Sequence, residues 1–121
     1  MKMKKIVLIE DDETMSILLS TLLGMENFNV VPLNILNENA IVEKIDHEHP
    51  EALLLDVHLR GGNGISILSK LRKNQSTKDL IILMTSGMDL SEDCIKGGAN
   101  GFLLKPYMPD ELINWLHERL D

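Results

Sequence analysis

The sequence has very few of the residues on which several classes of protein depend. Cys94 is its one cysteine, which excludes an intrachain disulfide and indicates a reducing compartment. Aromatic residues make up only 3% of the chain, so a core must be built from Leu, Ile, Val and Met. The longest apolar runs are far shorter than the ~20 residues that a helix needs to cross a bilayer. Since no signal peptide is recognisable either, we expect a cytoplasmic protein that does not bind membranes.

Positive charge is also scarce. The chain has 12 Lys and Arg residues against 19 Asp and Glu residues, and a formal net charge of −7. Because affinity for nucleic acids comes from Lys and Arg that neutralise phosphates, this balance argues against direct nucleic acid binding. Hydrophobic residues make up 44% of the sequence, which is typical of a globular protein and argues against disorder. The length of 121 residues predicts one domain over residues 1–121.

Short apolar runs alternate along the chain with longer segments of helical periodicity. The apolar runs predict five strands, at residues 6–9, 28–33, 52–55, 80–84 and 101–104. The periodic segments predict five helices, at residues 14–25, 38–47, 64–73, 90–96 and 109–120. Strands that are apolar on both faces are typical of a parallel sheet with helices on both sides. The sequence therefore predicts an α/β fold with a doubly wound, five-stranded parallel sheet and five helices.

Polar residues follow several of these strands directly, and this is where such sheets carry their functional sites. The residues that the strand ends should bring together are Glu10, Asp11 and Asp12 after the first strand, Asp56 after the third, Thr85 and Ser86 after the fourth, and Lys105 after the fifth. Clustered carboxylates repel one another unless a cation lies among them, and oxygen ligands suit Mg²⁺. Bound Mg²⁺ and Lys105 can both neutralise phosphoryl oxygens, and a hydroxyl can donate to one. Asp56 follows a buried run and is the best candidate for a nucleophile that forms an aspartyl-phosphate.

Four segments occur in a fixed order along the chain: "VLIEDDE", "LLLDVHL" with Gly64 eight residues after Asp56, "ILMTSG" and "GANGFLLKP". Together they resemble the receiver domains of two-component response regulators, and the resemblance covers essentially the whole chain. It implies a flavodoxin-like receiver fold with strand order 2-1-3-4-5. It also implies that Asp56 accepts a phosphoryl group from a phosphohistidine on a sensor histidine kinase or phosphotransfer protein. Phosphorylation would then switch binding to a downstream effector, in a signalling domain that is not a turnover enzyme.

The resemblance also implies a role for each residue of the site. Glu10 and Asp11 form an acidic pair, and Asp11 and Asp56 are direct Mg²⁺ ligands. The backbone carbonyl of His58 is the expected third ligand from the protein. Lys105 pairs with the phosphoryl group, and the peptide bond between it and the following proline is expected to be cis.

A hydroxyl that responds to phosphorylation is expected at one of two neighbouring positions. Counting forward from Asp56 without gaps places it at Ser86, and we favour this residue. Thr85 is the alternative, although its side chain should point to the opposite face of the strand. By resemblance, Ser86 moves toward the phosphoryl group and Phe102 swings inward to fill the vacated space, which is a two-state switch biased by charge.

Three features depart from the pattern of the family. Arg60 stands where a proline usually lies four residues after Asp56, so "LRGGNG" predicts a looser loop. The segment between Ser86 and Lys105 is shorter than usual, which predicts a short fourth helix. Met88, in a position that flanks the phosphoryl group, is apolar and cannot orient a water molecule, so we expect slow autodephosphorylation. These departures leave open an alternative function, a phosphorylation-independent protein-binding adapter with a receiver fold.

Overall fold

The computed structural model describes residues 3–34 and 37–121, which form an α/β sandwich around one parallel sheet. In chain order the elements are β1 (Lys5–Ile9), α1 (Glu13–Met25), β2 (Asn29–Pro32), α2 (Glu38–Glu48), β3 (Ala52–Asp56), β4 (His58–Leu59), β5 (Gly62–Asn63), α3 (Gly64–Lys73), β6 (Ile81–Ser86), α4 (Ser91–Lys96), β7 (Gly101–Leu104) and α5 (Pro109–Leu120). The five-stranded sheet has the order β2-β1-β3-β6-β7. Since β4 and β5 form a separate hairpin, this confirms the expected order 2-1-3-4-5 and the five helices.

The strands pack on both faces because their apolar side chains alternate with a period of two. In β1, Ile6 and Leu8 contribute to the cluster that contains the buried residues of α1 and α5. Val7 and Ile9 belong to the cluster on the other face, with the buried residues of α2, α3 and α4. Each buried side chain of this size stabilises the fold by about 1.5–3 kcal/mol. The sheet is therefore packed between two apolar layers, and polar residues lie at its carboxyl edge.

Side chains from the loops cap the first turns of three helices. Asp12 Oδ1 accepts a hydrogen bond from the backbone N–H of Met15 at 3.0 Å, and Asn37 Oδ1 accepts one from Ala40 at 2.8 Å. Asn63 caps α3 in the same way through two backbone N–H groups. Such caps satisfy donors that have no partner inside the helix. One acid after β1 is therefore a structural cap, which leaves its neighbours for other roles.

The segment "LRGGNG" is an ordered hairpin, so the prediction of a looser loop is wrong. His58 pairs with Asn63 and the intervening residues turn the chain. Glu38 of α2 contacts the end of this hairpin and the first turn of α3, because its Oε2 accepts the backbone N–H of Asn63 at 2.9 Å and its Oε1 accepts the Ser66 hydroxyl at 2.6 Å. The Ser66 hydroxyl and the Asn63 amide lower the pKa of Glu38. A contact from a distant helix therefore orders a segment whose composition favours flexibility.

The fourth strand of the sheet, β6, differs more from its predicted bounds than the other predicted elements do, which differ by at most one residue at either end. The strand predicted at residues 80–84 starts one residue later and continues to Ser86, because β3 and β7 both pair with its last residues. The helix α4 has six residues, which confirms that it is short. Within residues 3–34 and 37–121, no helix is both long enough and apolar enough to span a bilayer.

Candidate functional site

Strand alternation brings the main polar residues to one face of the carboxyl edge. Asp56 is paired with Thr85 in the register of β3 and β6, and paired residues of neighbouring strands point the same way. Both continue the side of the sheet occupied by Leu54 and Leu83, which belong to the cluster beneath α1 and α5. The carboxyl ends of parallel strands therefore deliver an acid and a hydroxyl to the same point, as the sequence predicts.

Lys105 lies between two buried carboxylates that come from different strand ends. Its Nζ is 2.7 Å from Oε1 of Glu10 and 3.2 Å from Oδ2 of Asp56. The side chain of Glu10 is 4% exposed and that of Asp56 is 9% exposed, whereas Lys105 is 25% exposed. The peptide bond between Lys105 and Pro106 is cis, as expected. One lysine is thus shared by two acids in a largely dehydrated site.

The presence of two acids and one lysine changes the pKa values of the residues in the site. Burial and, second, the charge of Glu10 raise the pKa of Asp56 to about 6, because Lys105 only partly opposes these two effects. Burial alone would lower the pKa of Lys105, but the hydrogen bond that Lys105 donates to Glu10 and the charge of Asp56 outweigh it, and the pKa is raised. Burial and the same two carboxylates raise the pKa of Tyr107 to about 12. The site therefore carries more negative charge than Lys105 neutralises.

Asp11 faces a different cation from the other two acids. Its Oδ2 lies 3.4 Å from Nε of Arg60, and its Oδ1 accepts the backbone N–H of Arg60 at 3.3 Å. Glu10 turns its second carboxylate oxygen toward the backbone N–H of Asp12, at 3.2 Å. The acidic pair therefore contacts two cations, Lys105 on one side and Arg60 on the other.

An open cleft of about 450 Å³ joins these groups. It is lined by Glu10, Asp11, Asp12, Glu13, Thr14, Asp56, His58, Arg60 and Lys105. Three of the predicted metal ligands contribute carboxylate oxygens to it, and such donors fit Mg²⁺ with retained water. In the part of the chain that the structure describes, no three His, Cys, Asp or Glu side chains are already grouped closely enough to hold a metal. Both carboxylate oxygens of Asp11 contact Arg60 in this arrangement.

His58 lines this cleft, and its side chain is exposed. It pairs with Asn63 across the hairpin, so its backbone has a defined place at the rim of the cleft. The role of its carbonyl as a metal ligand stays a prediction.

The two candidate hydroxyls have different surroundings. Thr85 Oγ1 donates to Asp56 Oδ1 over 3.4 Å, whereas Ser86 Oγ accepts the backbone N–H of Met88 at 3.0 Å. Both residues are buried. Ser86 follows Met84 on the other face of β6, in the cluster against which Phe102 also packs. The hydroxyl beside the acid is therefore that of Thr85, and the one on the face of Phe102 is that of Ser86, so the preference for Ser86 stays a prediction.

The position of Asp56 depends on a close approach between two backbone segments. The N–H of Val57 donates to the carbonyl of Thr85 at 2.9 Å, and the N–H of Gly64 donates to the carbonyl of Val57 at 2.8 Å. A Cβ atom at Gly64 would lie 2.3 Å from the carbonyl oxygen of Asp56, a distance that no side chain tolerates. This is the physical reason for a glycine eight residues after the acid. The contact between Arg60 and Asp11, by contrast, has no signal in the sequence beyond the unusual residue at position 60.

Comparisons with known proteins agree with this geometry. The family model described as the response regulator receiver domain matches residues 6–117. Among curated proteins, the transcriptional regulatory protein CpxR of Klebsiella pneumoniae is 35% identical over 114 residues, which cover 92% of this chain and 47% of that protein. The chain spans about half the length of the curated relatives it matches.

Solved structures give the same result. A protein of Chloroflexus aurantiacus assigned to the response regulators is 29% identical, with a TM-score of 0.89 over 98% of both chains. The BeF3-activated N-terminal receiver domain of RstA from Klebsiella pneumoniae is 28% identical, with a TM-score of 0.84 over 97% of this chain and 98% of that one.

Proposed function

Because the chain belongs to the response regulator receiver domain family, we propose that it is a phosphoacceptor whose Asp56 receives a phosphoryl group from a phosphohistidine. The observation that carries this proposal is the position of Asp56, which is buried at a strand end, bound to Lys105 and open to the acidic cleft. A buried carboxylate is weakly solvated and therefore more reactive as a nucleophile. Residues 1–121 would form one such domain.

In the proposed reaction, a carboxylate oxygen of Asp56 forms a bond to phosphorus while the bond between phosphorus and the donor imidazole nitrogen breaks. The electron pair stays with the imidazole, which takes up a proton from solvent. Because the pKa of Asp56 is raised only to about 6, its nucleophilic carboxylate form predominates at neutral pH. Acidification would remove this form and slow the transfer.

The surrounding residues would bind and orient the incoming group. Lys105 already reaches Asp56 with its ammonium and would donate to a phosphoryl oxygen. Asp11, Asp56 and the His58 carbonyl would hold Mg²⁺, with Glu10 beside them. When bound, Mg²⁺ would neutralise charge on the phosphoryl oxygens. The cleft contains more acids than lysines, and this excess fits a divalent cation, because the cation would reduce the repulsion between the carboxylates.

We further propose a sensor histidine kinase or phosphotransfer protein as the donor, and a downstream effector protein or domain as the partner that reads the phosphorylated state. The expected setting is the cytoplasm, and the domain itself would bind neither nucleic acid nor membranes. It would be phosphorylated once per signalling event and would not turn over a substrate as an enzyme does.

Intact mass spectrometry after incubation with Mg²⁺ and acetyl phosphate tests this proposal directly. The wild type should gain the mass of one phosphoryl group, and Asp56→Asn should gain none. Asp79→Asn is a matched control, because Asp79 is exposed and precedes β6, at the opposite edge of the sheet from the cleft. A wild type that gains no mass, or an Asp56→Asn variant that does, would contradict the proposal.

A second function, the phosphorylation-independent adapter, is favoured by one observation. Arg60 already neutralises Asp11, so the cleft has a counter-ion without any metal. An adapter would give the same amide NMR spectrum with and without Mg²⁺ and beryllofluoride, whereas a phosphoacceptor should show shifts around Asp56 and β7. The RstA receiver domain, which is described as BeF3-activated, supports the phosphoacceptor as the first choice.

A further inference from the structure

Arg60 contacts both carboxylate oxygens of Asp11, and it does so through two separate groups. The backbone N–H donates to Oδ1 at 3.3 Å, and the guanidinium Nε lies 3.4 Å from Oδ2. A proline, which resemblance to the family leads us to expect at this position, has neither an N–H group nor a charge. Both contacts are therefore consequences of the residue that this chain carries at position 60.

The backbone N–H and the guanidinium of Arg60 differ in how strongly the rest of the structure fixes their positions. The backbone lies in the turn between β4 and β5, and Glu38 contacts the end of this hairpin through the N–H of Asn63. The side chain of Arg60, in contrast, is 87% exposed. An exposed ion pair of this kind contributes little free energy, so the guanidinium can leave Asp11 while the backbone stays in place.

We propose that Arg60 is an internal competitor for the divalent cation, a positioning residue that holds Asp11 away from Mg²⁺ until the ion displaces the guanidinium. This inference rests on the proposed function, because it concerns the metal site of the same cleft. Arg60 contacts both oxygens of Asp11 that a metal ion would use, and a positive charge near the site repels a second cation. The chain should therefore bind Mg²⁺ more weakly than it would with a neutral residue at position 60.

Three variants, compared with the wild type, separate the effect of the Arg60 charge from the effects of its backbone N–H and its side-chain length. Arg60→Gln keeps the backbone N–H and much of the side-chain length but removes the charge. Arg60→Lys keeps the charge. Lys4→Gln is the control for net charge, because Lys4 is exposed and precedes β1, at the far edge of the sheet. Mg²⁺ affinity is measured for these variants and the wild type by calorimetry and by the rise of the melting temperature with Mg²⁺ concentration.

We expect Arg60→Gln to bind Mg²⁺ about threefold to tenfold more tightly than the wild type, since the positive charge that contacts Asp11 is removed. Arg60→Lys and Lys4→Gln should stay close to the wild type. Urea unfolding in EDTA verifies that every variant is folded.

Two results would overturn the inference while leaving the proposed function intact. The first is an Arg60→Gln affinity equal to or weaker than that of a wild type that binds Mg²⁺ and is phosphorylated at Asp56. The second is an equal gain in Lys4→Gln, which would assign the effect to net charge alone. Absence of Mg²⁺ binding in every variant at millimolar concentrations would overturn both this inference and the metal dependence of the proposed function.

Discussion

Thr85 lies directly beside Asp56 on the neighbouring strand, and its buried hydroxyl donates to Oδ1 of the acid over 3.4 Å. The contact is long, so it orients the carboxylate weakly. It nevertheless gives Asp56 a hydroxyl partner, while counting along the sequence places the switch hydroxyl at Ser86. Two hydroxyls with different surroundings therefore have to be distinguished by experiment.

We predict that Ser86→Ala is phosphorylated like the wild type but loses the amide NMR shifts of β7 that follow phosphorylation. The reason is that Ser86 lies on the face of the sheet where Phe102 packs, and only this face can transmit a rearrangement to that ring. Thr85→Val, which removes the other hydroxyl at nearly constant volume, is the matched variant and should keep the response. The reverse pattern, with the response lost in Thr85→Val alone, would assign the switch to Thr85.

Asp56 should make the stability of the metal-free protein depend on pH. Its pKa is raised from 3.8 to about 6 in the folded state, so the folded protein binds the proton more tightly than the unfolded chain does. Stability should therefore fall as pH rises from about 4 to about 6, and the cost is fully present above that range. Asp56→Asn removes this cost and should be about 2–3 kcal/mol more stable than the wild type at pH 7.5, with no difference below pH ~4.

Urea unfolding in EDTA across this pH range measures the difference. Glu43→Gln, at an exposed position of α2, is the control and should change stability little at any pH. A gap between Asp56→Asn and the wild type that stays constant from pH 4 to 7.5 would show that burial does not raise the pKa of Asp56.

Gly64 should be intolerant of any side chain. A Cβ atom there would lie 2.3 Å from the Asp56 carbonyl oxygen, so Gly64→Ala must push the hairpin and the acid apart. We expect a loss of about 1–3 kcal/mol in the free energy of unfolding and slower phosphorylation. Gly24→Ala is the matched control, because nothing lies within 4 Å of a Cβ at that helical position, and it should stabilise by up to ~1 kcal/mol. Equal stability of Gly64→Ala and the wild type would refute the steric argument.

Met88 should slow the hydrolysis of the phosphorylated form. Its side chain is 61% exposed at the end of β6, and a thioether is too weak an acceptor to orient an attacking water. Met88→Asn supplies polar groups there and should lose its phosphoryl group about threefold to tenfold faster, which corresponds to a barrier lowered by roughly 1 kcal/mol. Decay is followed by intact mass after removal of the donor.

Met25→Asn serves as the control for Met88, because Met25 is 73% exposed at the far end of α1. Decay of Met88→Asn at the rate of the wild type, with Met25→Asn also unchanged, would exclude an influence of position 88 on hydrolysis.

Most of the fold could be predicted because its signals are local. The apolar runs and helical periods gave five strands and five helices, and the bounds of α3 agree with the prediction at both ends. The prediction failed at the end of β6, where pairing with β3 and β7 extends the strand to Ser86. Pairing is a property of neighbouring strands, so the residues of one strand alone cannot show where it stops.

Much of the site could be predicted for a similar reason. Residues that follow parallel strands must meet at the carboxyl edge, and the contacts of Lys105 with Glu10 and Asp56 follow from this rule. The rule does not say which cation meets which acid. The pair formed by Arg60 and Asp11 joins residues 49 positions apart, and it depends on a hairpin whose end Glu38 contacts.

The layers of the fold and the strand ends that carry the acids follow from the order of residues alone, because hydrophobic alternation is a pattern of neighbouring residues. The folded chain adds that Lys105 contacts both Glu10 and Asp56, that Arg60 contacts Asp11, and that the hydroxyl beside Asp56 is that of Thr85. The physical reason is that electrostatic and hydrogen-bonding partners are selected by distances of a few ångströms, which the folded backbone sets and the order of residues does not.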